Sequence, residues 1–354
     1  MRKHLTLILV VAFSSLLLAG CFQGEQSLPD IDPPQNAEAV DGSEQSSTTE
    51  DENVDGEVES NQTVERQLYL LDSNGLVAPQ SIELPVPESK EVATQLLEYL
   101  VKDGPVTALL PNGFQAVLPE GTEVLGITLQ DDGTMVVDLS EEFKNYEAKD
   151  EQKILQAMTY TLTQFEQIKK IKIWLNGHPL DEMPVDGTPI SNGHSRANGI
   201  NIVNSDVVDI VMGQAVTLHF PTEYNNIRYY VPVTKYVSKS DKNIYESVVH
   251  SLLNGPGPET NLIHVFNSET ILVGSPVLED GILKLVFSED VLKNKEQAMI
   301  SDEVMETLVR SLTELEEVEG VDIKVENMEK LVNENGEILN EPVMRKSDTI
   351  ISKS

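Results

Sequence analysis

A chain of 354 residues exceeds what one compact core normally organises, so two domains plus extensions are expected. With 25 Lys+Arg against 59 Asp+Glu, the formal net charge of −34 argues against nucleic-acid partners and against polybasic membrane binding. The lone cysteine, Cys21, leaves the folded part without an internal disulfide or a Cys-ligated metal.

Arg2, Lys3 and His4 precede an uncharged apolar run, Leu5 to Leu18, followed by Ala19-Gly20-Cys21. A basic start, a short apolar stretch and small residues read as a secretory signal over residues 1–20. The run is shorter than the ~20 residues a stable membrane span needs. Leu18-Ala19-Gly20-Cys21 resembles the bacterial lipobox, whose Cys is diacylated, with palmitate-type chains, and becomes the first residue of the mature protein. Cys21 is therefore the expected lipidation site, and two acyl chains give the two signals that lasting attachment requires. The alternative is an uncleaved anchor helix with an incidental cysteine.

Residues 21–65 are expected to form an acidic, disordered tether. From residue 22 to residue 65 there is no Lys or Arg and little large apolar surface to offset the entropy of ordering the chain.

The first folded domain is placed at residues 66–180. Gln67 to Leu71 reads as a strand, and Ser81 to Val86 alternates polar with apolar as a half-buried or edge strand. Val92, Leu96 and Leu100 recur every fourth residue with Leu97 beside them, predicting an amphipathic helix stopped by Gly104-Pro105. Two strands then flank Asp132-Gly133, the pair a type I′ hairpin turn prefers. A second helix aligns Ile154, Met158, Leu162, Phe165 and Ile168 on one face, and Ile171 to Leu175 closes the unit with the only tryptophan, Trp174. Pro179 to about Asn204 is rich in Gly, Pro, Ser and Asn, and residues 181–212 are placed as a linker or packed loop.

The second domain, residues 213–345, repeats the first. Thr122 to Gly126 returns as Thr270 to Gly274, Asp132-Gly133 as Asp280-Gly281, and Ser140 as Ser288; 270 − 122, 280 − 132 and 288 − 140 all give 148. Val216 to Phe220 and Ile227 to Val233 match the opening strands, and Ile244, Val248 and Leu252 the first helix, which Gly255-Pro256 ends. Val304, Leu308, Leu312, Leu315 and Val318 match the second helix face, and Val321 to Val325 the closing strand. Ser140 and Ser288, each followed by two acids, suit a helix start or turn where a side-chain oxygen meets free N–H groups. Around Asn333 to Gly336 one more hairpin is expected, and residues 346–354 form a tail. The fold class is α/β, a two-layer α+β arrangement, with a duplicated β-α-β-β-α-β domain and room for an extra strand near residue 83.

The lipobox, the acidic tether and two tandem units with these hairpins resemble the GerMN-domain family of sporulation and spore germination lipoproteins. Leu252-Leu253-Asn254-Gly255-Pro256 and Leu139-Ser140-Glu141 also look like that domain, whereas Leu100 to Pro105 is one residue longer than its counterpart. The resemblance implies a fold similar to the ring-building motifs of secretion-system proteins. It also implies a lipoprotein on the outer face of the cell membrane, in the mother cell facing the intermembrane space. There it would help assemble or retain the channel complex between mother cell and forespore. Sporulation membrane proteins are the implied partners, and a homo-oligomer or ring stays open.

Chemistry is sought among the acids and histidines. The acidic pairs Asp131/Asp132, Glu141/Glu142, Glu289/Asp290 and Glu316/Glu317 fall at turns and exposed helix positions, whereas a glycosidase needs two acids ~5–9.5 Å apart in a cleft. His178, His194, His219, His250 and His264 lack H-E-x-x-H or His-x-His spacing. No G-x-S-x-G and no phosphate-binding G-x-x-x-x-G-K-[ST] occurs. Catalytic, cofactor-binding and metal-binding residues are therefore expected to be none, and the chain is read as a non-enzymatic assembly protein. The alternatives are an enzyme or accessory factor acting on spore peptidoglycan and a small-ligand-binding lipoprotein. Sheet edges near Ile82 to Val86 and Ile227 to Val233 are the candidates for strand addition.

Overall fold

In the first repeat, β1 (Thr63–Leu71) and β2 (Val77–Pro85) form an antiparallel hairpin in which Leu71 pairs with Val77. The computed structural model describes residues 62–87, 92–203, 213–238 and 243–345. The signal segment, Cys21 and the tail from residue 346 lie outside the described residues, as does the acidic stretch up to residue 61. β1 begins inside the stretch read as tether, because Thr63, Val64 and Glu65 pair with Pro85, Leu84 and Glu83.

Helix α1 (Val92–Glu98) follows, burying Ala93, Leu96 and Leu97. A second sheet then forms in the order β3 (Val124–Leu129), β4 (Thr134–Leu139), β5 (Lys170–Leu175) and β6 (His178–Pro179). β4 and β5 run parallel, with helix α2 (Glu151–Leu162) making the crossover. The strand expected near residue 83 is a full nine-residue partner of β1, so each repeat is a hairpin plus a separate four-stranded sheet.

The second repeat has the same plan. β7 (Gly213–Tyr224) and β8 (Ile227–Ser238) form the hairpin, and helix α3 (Ile244–Leu253) follows. β9 (Val277–Glu279), β10 (Ile282–Phe287), β11 (Gly320–Val325) and β12 (Val343–Met344) form the sheet, with helix α4 (Asp302–Leu312) between the parallel strands β10 and β11. Among the described residues, no helix is long and apolar enough to cross a membrane.

The second helix of each repeat ends earlier than its apolar spacing predicts. Thr163 and Thr313 cap α2 and α4, leaving Phe165, Ile168, Leu315 and Val318 in the turns that follow. One buried stripe is also too narrow a description. From Ile154 to Leu162 every residue of α2 is buried, polar Gln156, Thr159 and Thr161 included, because the helix packs on both β1 and β5.

The repeat hairpins differ at their turns. Asp280 and Gly281 are both left-handed, at φ 50° and 78°, as a two-residue type I′ turn requires. In the first copy only Gly133 is left-handed, at φ 80°, and its N–H donates to Gln130 O at 2.9 Å. The loop there is one residue longer, so a type I turn closed by one left-handed glycine replaces the expected type I′ turn.

Ser140 and Ser288 stand before short 3₁₀ turns, as their acids imply, but neither side chain caps the turn. Their Oγ atoms accept instead from Glu123 N–H at 3.0 Å and Ile271 N–H at 3.2 Å, tying the end of β4 or β10 to the preceding strand segment. The left-handed residue after the first helix also changes identity. Asp103 (φ 55°) supplies it in the longer first copy and Gly255 (φ 78°) in the second.

Candidate functional site

The segment read as a linker or packed loop is tied down along its described length. The Glu151 side chain, at the start of α2, is fully buried and meets this segment with both oxygens. Oε2 accepts from Tyr146 Oη at 2.9 Å, Val185 N–H at 3.2 Å and Asp186 N–H at 2.7 Å, while Oε1 accepts from Thr188 N–H at 2.9 Å. Burial alone would raise this carboxyl, but the converging donors hold it below the usual carboxylate range. Farther on, buried His194 Nδ1 lies 2.8 Å from Thr159 Oγ1, and His194 exchanges main-chain bonds with Ile171 of β5.

Asn201 joins the two hairpins. Its Nδ2 donates to Val77 O of β2 at 2.7 Å and to Pro232 O of β8 at 2.8 Å, while its Oδ1 accepts from Val77 N–H at 2.9 Å. The residue is left-handed (φ 44°), a conformation asparagine tolerates better than most side chains.

A half-buried charge cluster around buried His219 lies where the repeats meet. Glu314, just past α4, faces His219 Nε2 at 3.1 Å and Arg345 Nη1 at 2.6 Å through Oε1, and Arg196 Nη1 at 3.9 Å through Oε2. Arg196 is itself placed by the first repeat, stacking 4.5 Å over the Tyr160 ring and donating from Nε to Thr163 Oγ1 at 2.9 Å. Burial would raise the Glu314 carboxyl, but the His219 hydrogen bond and the two guanidinium charges hold it well below the usual range. Burial pushes His219 down to about 4, against the opposing pull of Glu314, so the neutral ring donates Nε2–H to the carboxylate.

At the hairpin tip of the first repeat, Tyr229 Oη donates to Asp72 Oδ2 at 2.9 Å, and the Tyr229 ring packs edge-on against Phe114 with centroids 4.8 Å apart. Gly113 lies against the Tyr224 ring so closely that an added Cβ would come within 2.5 Å of it. Apolar packing and buried hydrogen bonds thus both cross between the repeats.

The acids weighed from the sequence lie elsewhere. Asp131, Asp132, Glu141, Glu142, Glu316 and Glu317 are exposed, and Glu289 and Asp290 half-buried. Asp290 pairs with Lys295 at 2.7 Å, and Glu317 accepts from Tyr245 Oη at 3.2 Å. Among the described histidines, His178, His250 and His264 are exposed, and His194 and His219 are buried. Among the described residues no group of three His, Cys, Asp or Glu side chains could hold a metal ion. Cys21 is outside the described residues.

Sequence reasoning passed over Glu151, Arg196, Asn201 and Glu314. For Glu314 a signal existed: it occupies the repeat position of Gln164 (314 − 164 = 150), so a carboxylate replaces an amide at one structural point. Gln164 uses that point to cap the outer edge of β1, donating to Gln67 O at 3.0 Å, whereas Glu314 gathers cations.

With these repeats in view, the comparisons with known proteins are consistent over both halves. The chain is 42% identical over 347 residues to the spore germination protein GerM of Bacillus subtilis (strain 168), covering 94% of each chain. It also resembles the solved tandem GerMN domains of the sporulation protein GerM from Bacillus subtilis, with TM-score 0.74 and 44% identity. That match covers 81% of this chain and 99% of the solved one. The Germane family, described as sporulation and spore germination, matches residues 67–181 and again 217–331. With that domain present twice and the likeness running nearly end to end, the chain belongs to the Germane family of sporulation and spore germination proteins.

Proposed function

We propose that this protein is a membrane-anchored, non-enzymatic lipoprotein that assembles or retains the channel complex between mother cell and forespore, supporting spore formation and germination. In this reading lipid on Cys21 holds it to the outer face of the cell membrane, in the mother cell facing the intermembrane space, and its partners are sporulation membrane proteins. The observation that carries the reading is the family's domain in tandem, aligned over 94% of the chain with a spore germination protein. Two acids that are not solvated add support. Glu151 and Glu314 have their oxygens turned to donors of the same chain, a use of carboxylates that holds a scaffold in shape.

The links between the repeats favour one two-repeat body over two independent modules. Asn201, the Glu314 cluster and the Phe114–Tyr229 contact each join parts of both halves. The test is deletion of the protein in sporulating cells, followed by recovery of the intact complex from detergent-solubilised membranes. Loss of the complex is expected, with return when the full chain is restored. Recovery of a complete complex without the protein would overturn the reading.

A further inference from the structure

Among the described residues, the long strand edges of both hairpins are met at several positions by side chains, loops or prolines. On β1, Leu71 exchanges main-chain bonds with Gln115, Tyr69 N–H donates to Thr161 Oγ1, and Gln67 O accepts from Gln164. β2 is met by Asn201 at Val77 and by Gln95 Nε2 at Pro85 O, and Pro79 and Pro85 lack the N–H that pairing needs. β7 gives His219 N–H to Ser311 Oγ and receives Ile263 N–H at Pro221 O. β8 is covered by residues 200–203: Thr234 N–H donates to Ile200 O, Thr234 O accepts from Val203 N–H, and Asn201 takes Pro232 O. The edges near Ile82 to Val86 and Ile227 to Val233, the sequence candidates for strand addition, are interrupted by Pro85 and Pro232, whose carbonyls are taken by Gln95 and Asn201.

β3 differs. The bond from Gln130 N–H to Thr134 O sets the phase of its pairing, so Thr128 and Gly126 turn their main-chain groups to β4. The N–H and C=O groups of Ile127 and Leu129 then point outward, and among the described residues no hydrogen bond to them is seen. Their side chains pack on the core, while Leu125 is 49% exposed and Gly126 has open space where a side chain would be. Val124–Leu129 contains no charge and no proline, two of the devices that ordinarily protect an edge, and its one register shift lies at Val124–Gly126, ahead of Ile127 and Leu129.

The second repeat serves as an internal control. Its edge is interrupted by Gly274-Ser275-Pro276, and Asn243 Nδ2, at the start of α3, donates to Pro276 O at 3.1 Å. The shared fold therefore does not require an open edge at this point.

We infer that β3 is a docking edge that receives an extended strand from a partner protein, apolar at its centre and carrying Lys or Arg at both ends. The main-chain groups of Ile127 and Leu129 bind the backbone of that strand, and charge selects it. The uncharged stretch is bracketed by exposed Glu120 and Glu123 at one end and exposed Asp131 and Asp132 at the other. Lys170 lies 3.5 Å from Asp132 and offsets part of one end only. A net charge of −34 also disfavours a second copy of this chain as the occupant and steers a basic one.

This inference rests on the assembly reading, and the experiment separates the two. A photo-crosslinking residue replaces Thr128 in the full-length protein, and crosslinked peptides from sporulating cells are sequenced by mass spectrometry. Crosslinks are expected on a strand-length apolar segment flanked by Lys or Arg. Adding Ile127→Pro, which removes one outward N–H, should lower the yield at least tenfold. Leu125→Lys, on an exposed side chain, should do the same and replaces Ile127→Pro if the proline variant loses its cooperative thermal transition. Absence of a crosslink, crosslinks to acidic or helical segments, or a yield untouched by a folded variant would overturn the docking edge. If the complex needs the protein yet forms with folded Leu125→Lys, the edge is wrong and the assembly reading stands; if it forms without the protein, the assembly reading fails.

Discussion

Tyr69 and His219, 150 positions apart (219 − 69), hold the same place in the two repeats. The main-chain N–H of Tyr69 donates to Thr161 Oγ1 at 3.0 Å, and that of His219 donates to Ser311 Oγ at 2.9 Å. Each is a buried bond from the first strand of a hairpin to the second helix, and it fastens the hairpin where no strand partner reaches. Thr161→Val and Ser311→Ala leave a buried N–H unsatisfied while changing little volume, so each should cost about 1–3 kcal/mol. Chemical denaturation of each variant checks this, and an unchanged midpoint for both would show that the hydroxyls are dispensable.

Stability should fall in mild acid. Burial lowers both His194 and His219 from 6.5 to about 4. Between those values the unfolded chain binds the extra protons, so stability rises with pH across the window and is fully present above about 6.5. It is lost as pH drops through about 4, by up to about 3 kcal/mol for each ring. Denaturation midpoints should rise from pH 4 to 7 accordingly, and His219→Gln should flatten part of that pH dependence. The groups facing that ring are Glu314, Arg345 and Arg310.

Glu151→Gln should loosen the loop it holds without unfolding the sheet. The amide keeps one acceptor oxygen but turns an NH₂ toward donors, and the buried charge that gathers Tyr146, Val185, Asp186 and Thr188 is gone. A loss of about 2–4 kcal/mol is expected. Hydrogen exchange of the Asp186 and Thr188 amides should accelerate most, and uniform acceleration across β4 and β5 would contradict the local role.

Asn201→Ala removes three hydrogen bonds and strains a left-handed residue, whereas Asn201→Gly removes the bonds alone. Both should destabilise, the alanine variant by about 1 kcal/mol more. Protection of the Val77 amide should drop in each. Equal stability of alanine and glycine variants would mean that the backbone relaxes out of the left-handed region.

Cys21→Ala should release the protein from membranes into the soluble fraction, since the short apolar run before it would be a poor span by itself. Fractionation of cells expressing each form is the measurement, and membrane retention of the variant would favour an uncleaved anchor helix.

By itself the sequence determined what is local and what is repeated. The 148-residue offset of the Asp-Gly hairpins, the four-residue spacing of Val92, Leu96 and Leu100, and the glycines and prolines that end elements each act over a few residues. Such signals survive in a linear string because propensity and turn chemistry are short-ranged. Only the tertiary structure decided that β1 pairs with β2 as a separate hairpin, and that Asn201, 124 positions from Val77, joins two hairpins. It alone brought Arg196 to Glu314 and, among the described residues, left the outward main-chain groups of Ile127 and Leu129 without a hydrogen bond. These outcomes depend on buried polar groups finding partners far along the chain. A residue such as Glu314 looks like any other acid until burial makes its partners obligatory.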